Sequence, residues 1–138
     1  MSITTNILPY IPQRAPFIMI STLETCDDLG ATTTFDVSED NIFVQQHKLT
    51  EPALIENIAQ TAAARIGFIC QQEKRPVPVG YIGAVQNLKV NQLPAVQSKL
   101  TTQISIKHQI FSATIIEGRI FENEKLIAQC DMKIFISE

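Results

Sequence analysis

Glu56 is a carboxylate set in an apolar stretch, Leu54-Ile55-Glu56-Asn57-Ile58-Ala59-Gln60. A buried carboxylate is costly unless it is paired, hydrogen-bonded or protonated. Gln60, one helical turn on, lies on the same face and can bond it. In the plain reading these two are a satisfied polar pair near a helix N-terminus, helped by the helix dipole. The other reading is proton transfer. His47 precedes Glu56 in the polar run Gln45-Gln46-His47-Lys48, and an imidazole titrates near neutral pH. A carboxylic acid in an apolar site is favoured in the protonated form that a general acid needs. For His47 the plain reading is an exposed loop histidine beside Lys48. His108 lies on an alternating strand and reads as a packing or interface residue. Cys26, Cys70 and Cys130 read as small buried apolar side chains.

The element that carries Glu56 is the one long helix of the chain, from Pro52 to Ile69. Thr50 is a plausible N-cap, and Pro52 fits the first turn. Leu54, Ile58, Thr61, Ala62, Arg65 and Ile69 follow helical spacing, as do Ile55, Ala59, Ala62 and Ile66. Apolar and small residues cover nearly the whole circumference, so the helix is expected to be buried and wrapped. It is too short and too polar to span a membrane.

The wrapping comes from strands. Phe17 to Glu24 reads as the first, Asp27 to Gly30 as a turn, and Ala31 to Val37 as the second. Ile3 to Tyr10 could form one helical turn, and Asn41 to Leu49 reads as loop. After a connector from Gln71 to Pro78, Val79 to Val90 is a long strand whose Gly80 and Gly83 suggest a bulge or a close backbone approach. Leu100 to Phe111, Ser112 to Phe121 and Leu126 to Ile136 follow, with Glu122 to Lys125 as a hairpin turn. Period-2 alternation implies antiparallel strands with one covered face. Two strands, one buried helix and four strands predict an α+β hotdog architecture, a curved antiparallel sheet around a central helix. A helix lying on a flat sheet is the alternative.

The chain has 138 residues, 45% of them apolar, and a net charge of −3. That suffices for a single domain over residues 1–138. Scattered basic residues argue against a nucleic-acid partner. Three widely separated cysteines match no metal spacing and suggest a reducing compartment. The first residues show neither a basic n-region nor an apolar h-region, so a cytoplasmic location is expected.

Three segments carry a resemblance. Pro12-Gln13-Arg14-Ala15-Pro16-Phe17-Ile18-Met19-Ile20 resembles the Pro-His-Arg-x-Pro-Phe-Leu-Leu-Val strand of the β-hydroxyacyl-acyl-carrier-protein dehydratases of the FabZ type. Asn41 to His47, with Leu54-Ile55-Glu56-Asn57-Ile58-Ala59-Gln60, resembles that family's loop histidine and its Leu-x-x-Glu-x-x-Ala-Gln helix. Tyr81-Ile82-Gly83, Leu88-Lys89-Val90 and Pro94 resemble the strand after the helix. The family's Pro-Gly-x-Pro-x-x-Pro-Gly-Val segment is missing, and Gln13 replaces the histidine of the first motif. Pro52-Ala53-Leu54-Ile55-Glu56 instead resembles the short-loop dehydratases of aryl-polyene and flexirubin-type pigment clusters.

The resemblance implies elimination of water from a β-hydroxyacyl thioester on the 4'-phosphopantetheine of acyl carrier protein, with no cofactor. It implies His47 as the base for the α-proton. It implies Glu56, from the neighbouring protomer, as the acid on the leaving hydroxyl. Backbone N–H groups of Ala53 and Leu54 would polarise the thioester carbonyl, since Pro52 has none. Phe17, Gln60 and Gly83 would contact substrate. A homodimer, or a heterodimer with another hotdog chain, would cover the sheet edge. A non-catalytic acyl-binding subunit and an acyl thioesterase are the other functions compatible with these residues.

Overall fold

The computed structural model describes residues 3–137. One helix, α1 (Glu51–Gln72), lies against a six-stranded sheet. The strands of that sheet are β1 (Thr22–Cys26), β2 (Gly30–Asp36), β5 (Val79–Val90), β6 (Lys99–Ile110), β7 (Ala113–Glu122) and β8 (Lys125–Ser137). Their order is β1-β2-β6-β7-β8-β5, with every pair antiparallel. The small strands β3 (Val44–Gln45) and β4 (Lys48–Leu49) form a separate hairpin, and a 3₁₀ turn covers Leu8–Tyr10. This is the hotdog fold expected from the alternation, with one long helix and a large antiparallel sheet.

The helix is wrapped as its composition demands. From Ala53 to Cys70 no residue is exposed. Leu54 and Ile58 pack with Leu100, Ile104, Ile116 and Ile120 in one core. A buried polar seam crosses it. Thr61 Oγ1 donates to the Asn57 carbonyl at 2.8 Å, and the Thr33 and Thr61 hydroxyls meet at 2.7 Å. Thr102 donates to the Asn57 side chain. Each buried polar group of this seam therefore has a partner, as a low-dielectric interior requires.

Four local expectations are corrected. The first strand starts at Thr22, not Phe17. Main-chain groups of Phe17 and Met19 bond side chains of the helix instead of a neighbouring strand. Thr50 precedes the helix but makes no side-chain cap; its hydroxyl donates to the Phe43 carbonyl at 2.6 Å. The loop before the helix contains the β3–β4 hairpin, turned by Gln46 and His47 at φ 52° and 65°. His108 is exposed and so is not a packing residue within this chain: a bulge after Ile106 shifts the β6 register and breaks the alternation there.

β5 extends over the predicted residues. The register shifts around Gly83, where an added Cβ would lie 2.3 Å from the Phe135 ring. A side chain at this position would have to displace the partly exposed Phe135 ring. β5 pairs with β8 on one side and forms an end of the sheet on the other. Among the described residues no helix is long and apolar enough to cross a membrane.

Candidate active site

Glu56 stands in the second turn of α1, half-buried, on the wall of a cavity of about 270 Å³ between the helix and the sheet. Ala59, Ala63 and Ile66 line it from the helix, and Ile106 and Ile134 from the sheet. Gly80, Tyr81 and Ile82, at the start of β5, complete one wall. The small residues on the helix leave the space, and the isoleucines make it apolar. A largely apolar wall with a few polar groups is the usual make-up of a small-molecule site.

One side chain fixes the carboxylate. Gln60 is fully buried, and its Nε2 donates to Glu56 Oε2 at 3.0 Å and to the Phe17 carbonyl at 2.8 Å. Its Oε1 accepts from the Met19 N–H at 2.6 Å. Both amide hydrogens of Gln60 are thus engaged within the chain, so it positions Glu56 and the segment before β1. Asn57 adds a second tie, donating to the Met19 carbonyl at 2.7 Å. Among the described residues no cation pairs with Glu56.

The other candidates lie apart. His47 is exposed at the tip of the β3–β4 hairpin and does not line the cavity. Its carbonyl accepts from the Val96 N–H at 2.9 Å, and Leu49 N–H donates to the Pro94 carbonyl at 2.9 Å. The hairpin is therefore fastened to the segment just after β5. Ala53 and Leu54 are buried, and the Ala53 N–H donates to the Thr50 carbonyl at 3.1 Å. The Phe17 side chain is exposed while its carbonyl is held by Gln60. Gly83 follows the cavity wall along β5 without lining the cavity.

The structure also places the polar side chains of Gln13, Arg65 and Thr114 on the cavity wall. Arg65 donates to the carbonyls of Asp27 at 2.8 Å and Asp28 at 2.9 Å, tying the β1–β2 turn to the helix. Its helical spacing had marked it as part of a buried face; no local signal marked its partners. Gln13 was visible only as a departure from a motif.

The sequence matches the ApeP-like family, described as ApeP dehydratase, over residues 5–138. The chain belongs to the ApeP-like dehydratase family. Its activity is accordingly that of a dehydratase, a lyase, of the aryl-polyene type. A search of curated protein sequences finds no match to the chain. Among solved structures, the dehydratase heterocomplex ApeI:P from Xenorhabdus doucetiae superposes with a TM-score of 0.89 at 18% identity, over 96% of this chain and 91% of that one. A hypothetical thioesterase protein with coenzyme A from Streptococcus pneumoniae matches with a TM-score of 0.67 at 12% identity, over 83% of this chain and 84% of that one. Cj0977, a sigma28-regulated virulence protein from Campylobacter jejuni, matches with 0.73 at 8%, over 92% and 82%. At these identities the structural matches establish the shared fold. The family match establishes the ApeP-like dehydratase assignment and fits a Glu56 carboxylate that opens on an apolar cavity.

Proposed function

We propose that the chain removes water from a β-hydroxyacyl thioester carried on the phosphopantetheine of acyl carrier protein, with Glu56 as the acid on the leaving hydroxyl. The observation that carries this is a carboxylate fixed by Gln60 at the wall of a largely apolar cavity. Elimination breaks the α-C–H and the β-C–O bonds. The α-proton goes to a base, the C–H electron pair becomes the double bond, and the hydroxyl leaves as water with the proton of Glu56.

The base comes from a paired hotdog chain. β5 is a twelve-residue sheet edge bearing the exposed apolar side chains of Val79, Tyr81, Ile82 and Leu88. Such an edge calls for cover, and a solved relative is a heterocomplex. Antiparallel pairing through this edge sets the start of one β5 beside the end of the other. The start walls the Glu56 cavity, and the end leads to the segment that carries the His47 hairpin. With a second copy as partner, His47 of that copy is the base; with a related hotdog chain, the corresponding base is that chain's. The substrate's thioester lies along Phe17 and Gly83, with its carbonyl near the Ala53–Leu54 end of the helix.

Subunit complementation tests the arrangement. His47→Ala and Glu56→Gln copies, each weak alone, should regain turnover of a β-hydroxyacyl carrier when mixed and reassociated. An active wild-type homodimer with no recovery on mixing would contradict a site shared between copies. Hydrolysis of saturated acyl thioesters in place of dehydration would favour the thioesterase reading, which a structural neighbour also suggests.

A further inference from the structure

We propose that Gln13 holds the substrate's β-hydroxyl against Glu56; this rests on the reading of Glu56 as the acid. Gln13 lines the same cavity as Glu56. Its Oε1 is closed off from solvent, and it is the one buried side-chain polar atom of the described residues without a hydrogen-bond partner. The main chain around it is secured. Arg14 Nη1 donates to the Ile11 carbonyl at 2.8 Å and to the Gln13 carbonyl at 2.7 Å. The segment is thus fixed, while no hydrogen bond of the described residues engages the Gln13 carboxamide. Gln60, the other amide beside Glu56, has both ends engaged in the chain.

A buried acceptor without a donor is destabilising, and an apolar side chain of the same length would avoid the penalty. A ligand that brings the donor removes it. The wall around Gln13 is otherwise largely apolar, so the group that meets it must be a polar point on an apolar chain. A β-hydroxyl meets that description. A turn about the side-chain bonds carries the unengaged carboxamide as a whole from its closed-off place into the cavity, where Oε1 accepts the hydroxyl's own hydrogen. The oxygen lone pair is then turned towards Glu56. On elimination that oxygen keeps the C–O electron pair, takes the Glu56 proton and departs as water. The α-proton leaves to the base of the paired chain.

The test is binding of two probes, β-hydroxyhexanoyl and hexanoyl pantetheine thioesters, to the paired protein. Wild type should prefer the hydroxylated probe by roughly tenfold, the value of one net hydrogen bond. Gln13→Met and Gln13→Leu should abolish the preference, leave hexanoyl affinity in place, and keep or raise the melting temperature. Dehydration kcat/KM should fall by a similar factor. An undiminished preference in both variants overturns the proposal. So does equal loss of both probes with a lowered melting temperature, the mark of a structural role. Glu56→Gln separates the two layers. If it turns over at wild-type rate, the acid assignment fails, and with it the placement of the hydroxyl against Glu56. If it is inactive yet keeps the preference that Gln13→Met loses, both hold.

Discussion

Gln60 donates one amide hydrogen to Glu56 and the other to the carbonyl of Phe17, from a fully buried position on the same helix. The carboxylate and the segment leading into β1 are thereby set by one side chain. Gln60→Leu removes three hydrogen bonds and leaves the Met19 N–H and Phe17 carbonyl without that partner. Loss of about 2–4 kcal/mol of stability is expected, since each unsatisfied buried group costs about 1–3 kcal/mol. Urea unfolding of the variant measures it. A change within error of zero would show that these groups find other partners.

This tie explains what the sequence did and did not disclose. Glu56 and Gln60 at one-turn spacing were legible as a pair, because helical geometry alone brings them together. The bonds from Gln60 to Phe17 and Met19 span more than forty positions; local periodicity carries no trace of them. Phe17-Ile18-Met19-Ile20 is β-prone by composition, yet side chains of α1 bond its Phe17 and Met19 main-chain groups. β5, β6, β7 and β8 were legible because alternation and turn residues are local. The bulge that exposes His108 was hidden by an unbroken alternation. The cavity was hidden as well, since Ala59 read as part of a packed helix face, and its place on the cavity wall depends on where the sheet lies.

Gly67 offers a test of helix packing against the N-terminal segment. In an exposed helix interior, Gly→Ala stabilises by about 1 kcal/mol. Here an added Cβ would lie 2.1 Å from the Tyr10 carbonyl oxygen. Gly67→Ala should therefore destabilise, by about 1–3 kcal/mol of overpacking. Thermal unfolding decides the sign; a raised midpoint would contradict this contact.

Cys130 gives a pH signature. It is 2% exposed on β8. Burial pushes its thiol up to about 11 from an ordinary 9.0, and the Asp131 carboxylate adds to the shift. The native thiol keeps its proton at pH values where the unfolded chain releases it. This contribution to stability is fully present below about pH 9 and lost as the pH rises through about 11. The wild-type melting temperature should fall more steeply over that window than that of Cys130→Ala. Parallel curves would contradict the shift.

Glu56→Gln on a carrier-bound β-hydroxyacyl substrate is the most direct measurement of the central claim. The substitution keeps size and hydrogen-bonding capacity and removes the acid. With the protein in its paired form, kcat should fall by about 10²–10⁴-fold, the usual cost of losing a positioned acid or base. The fold should persist, because Gln60 can still bond the new amide oxygen. Turnover by Glu56→Gln at the wild-type rate would contradict the assignment of this carboxylate as the acid.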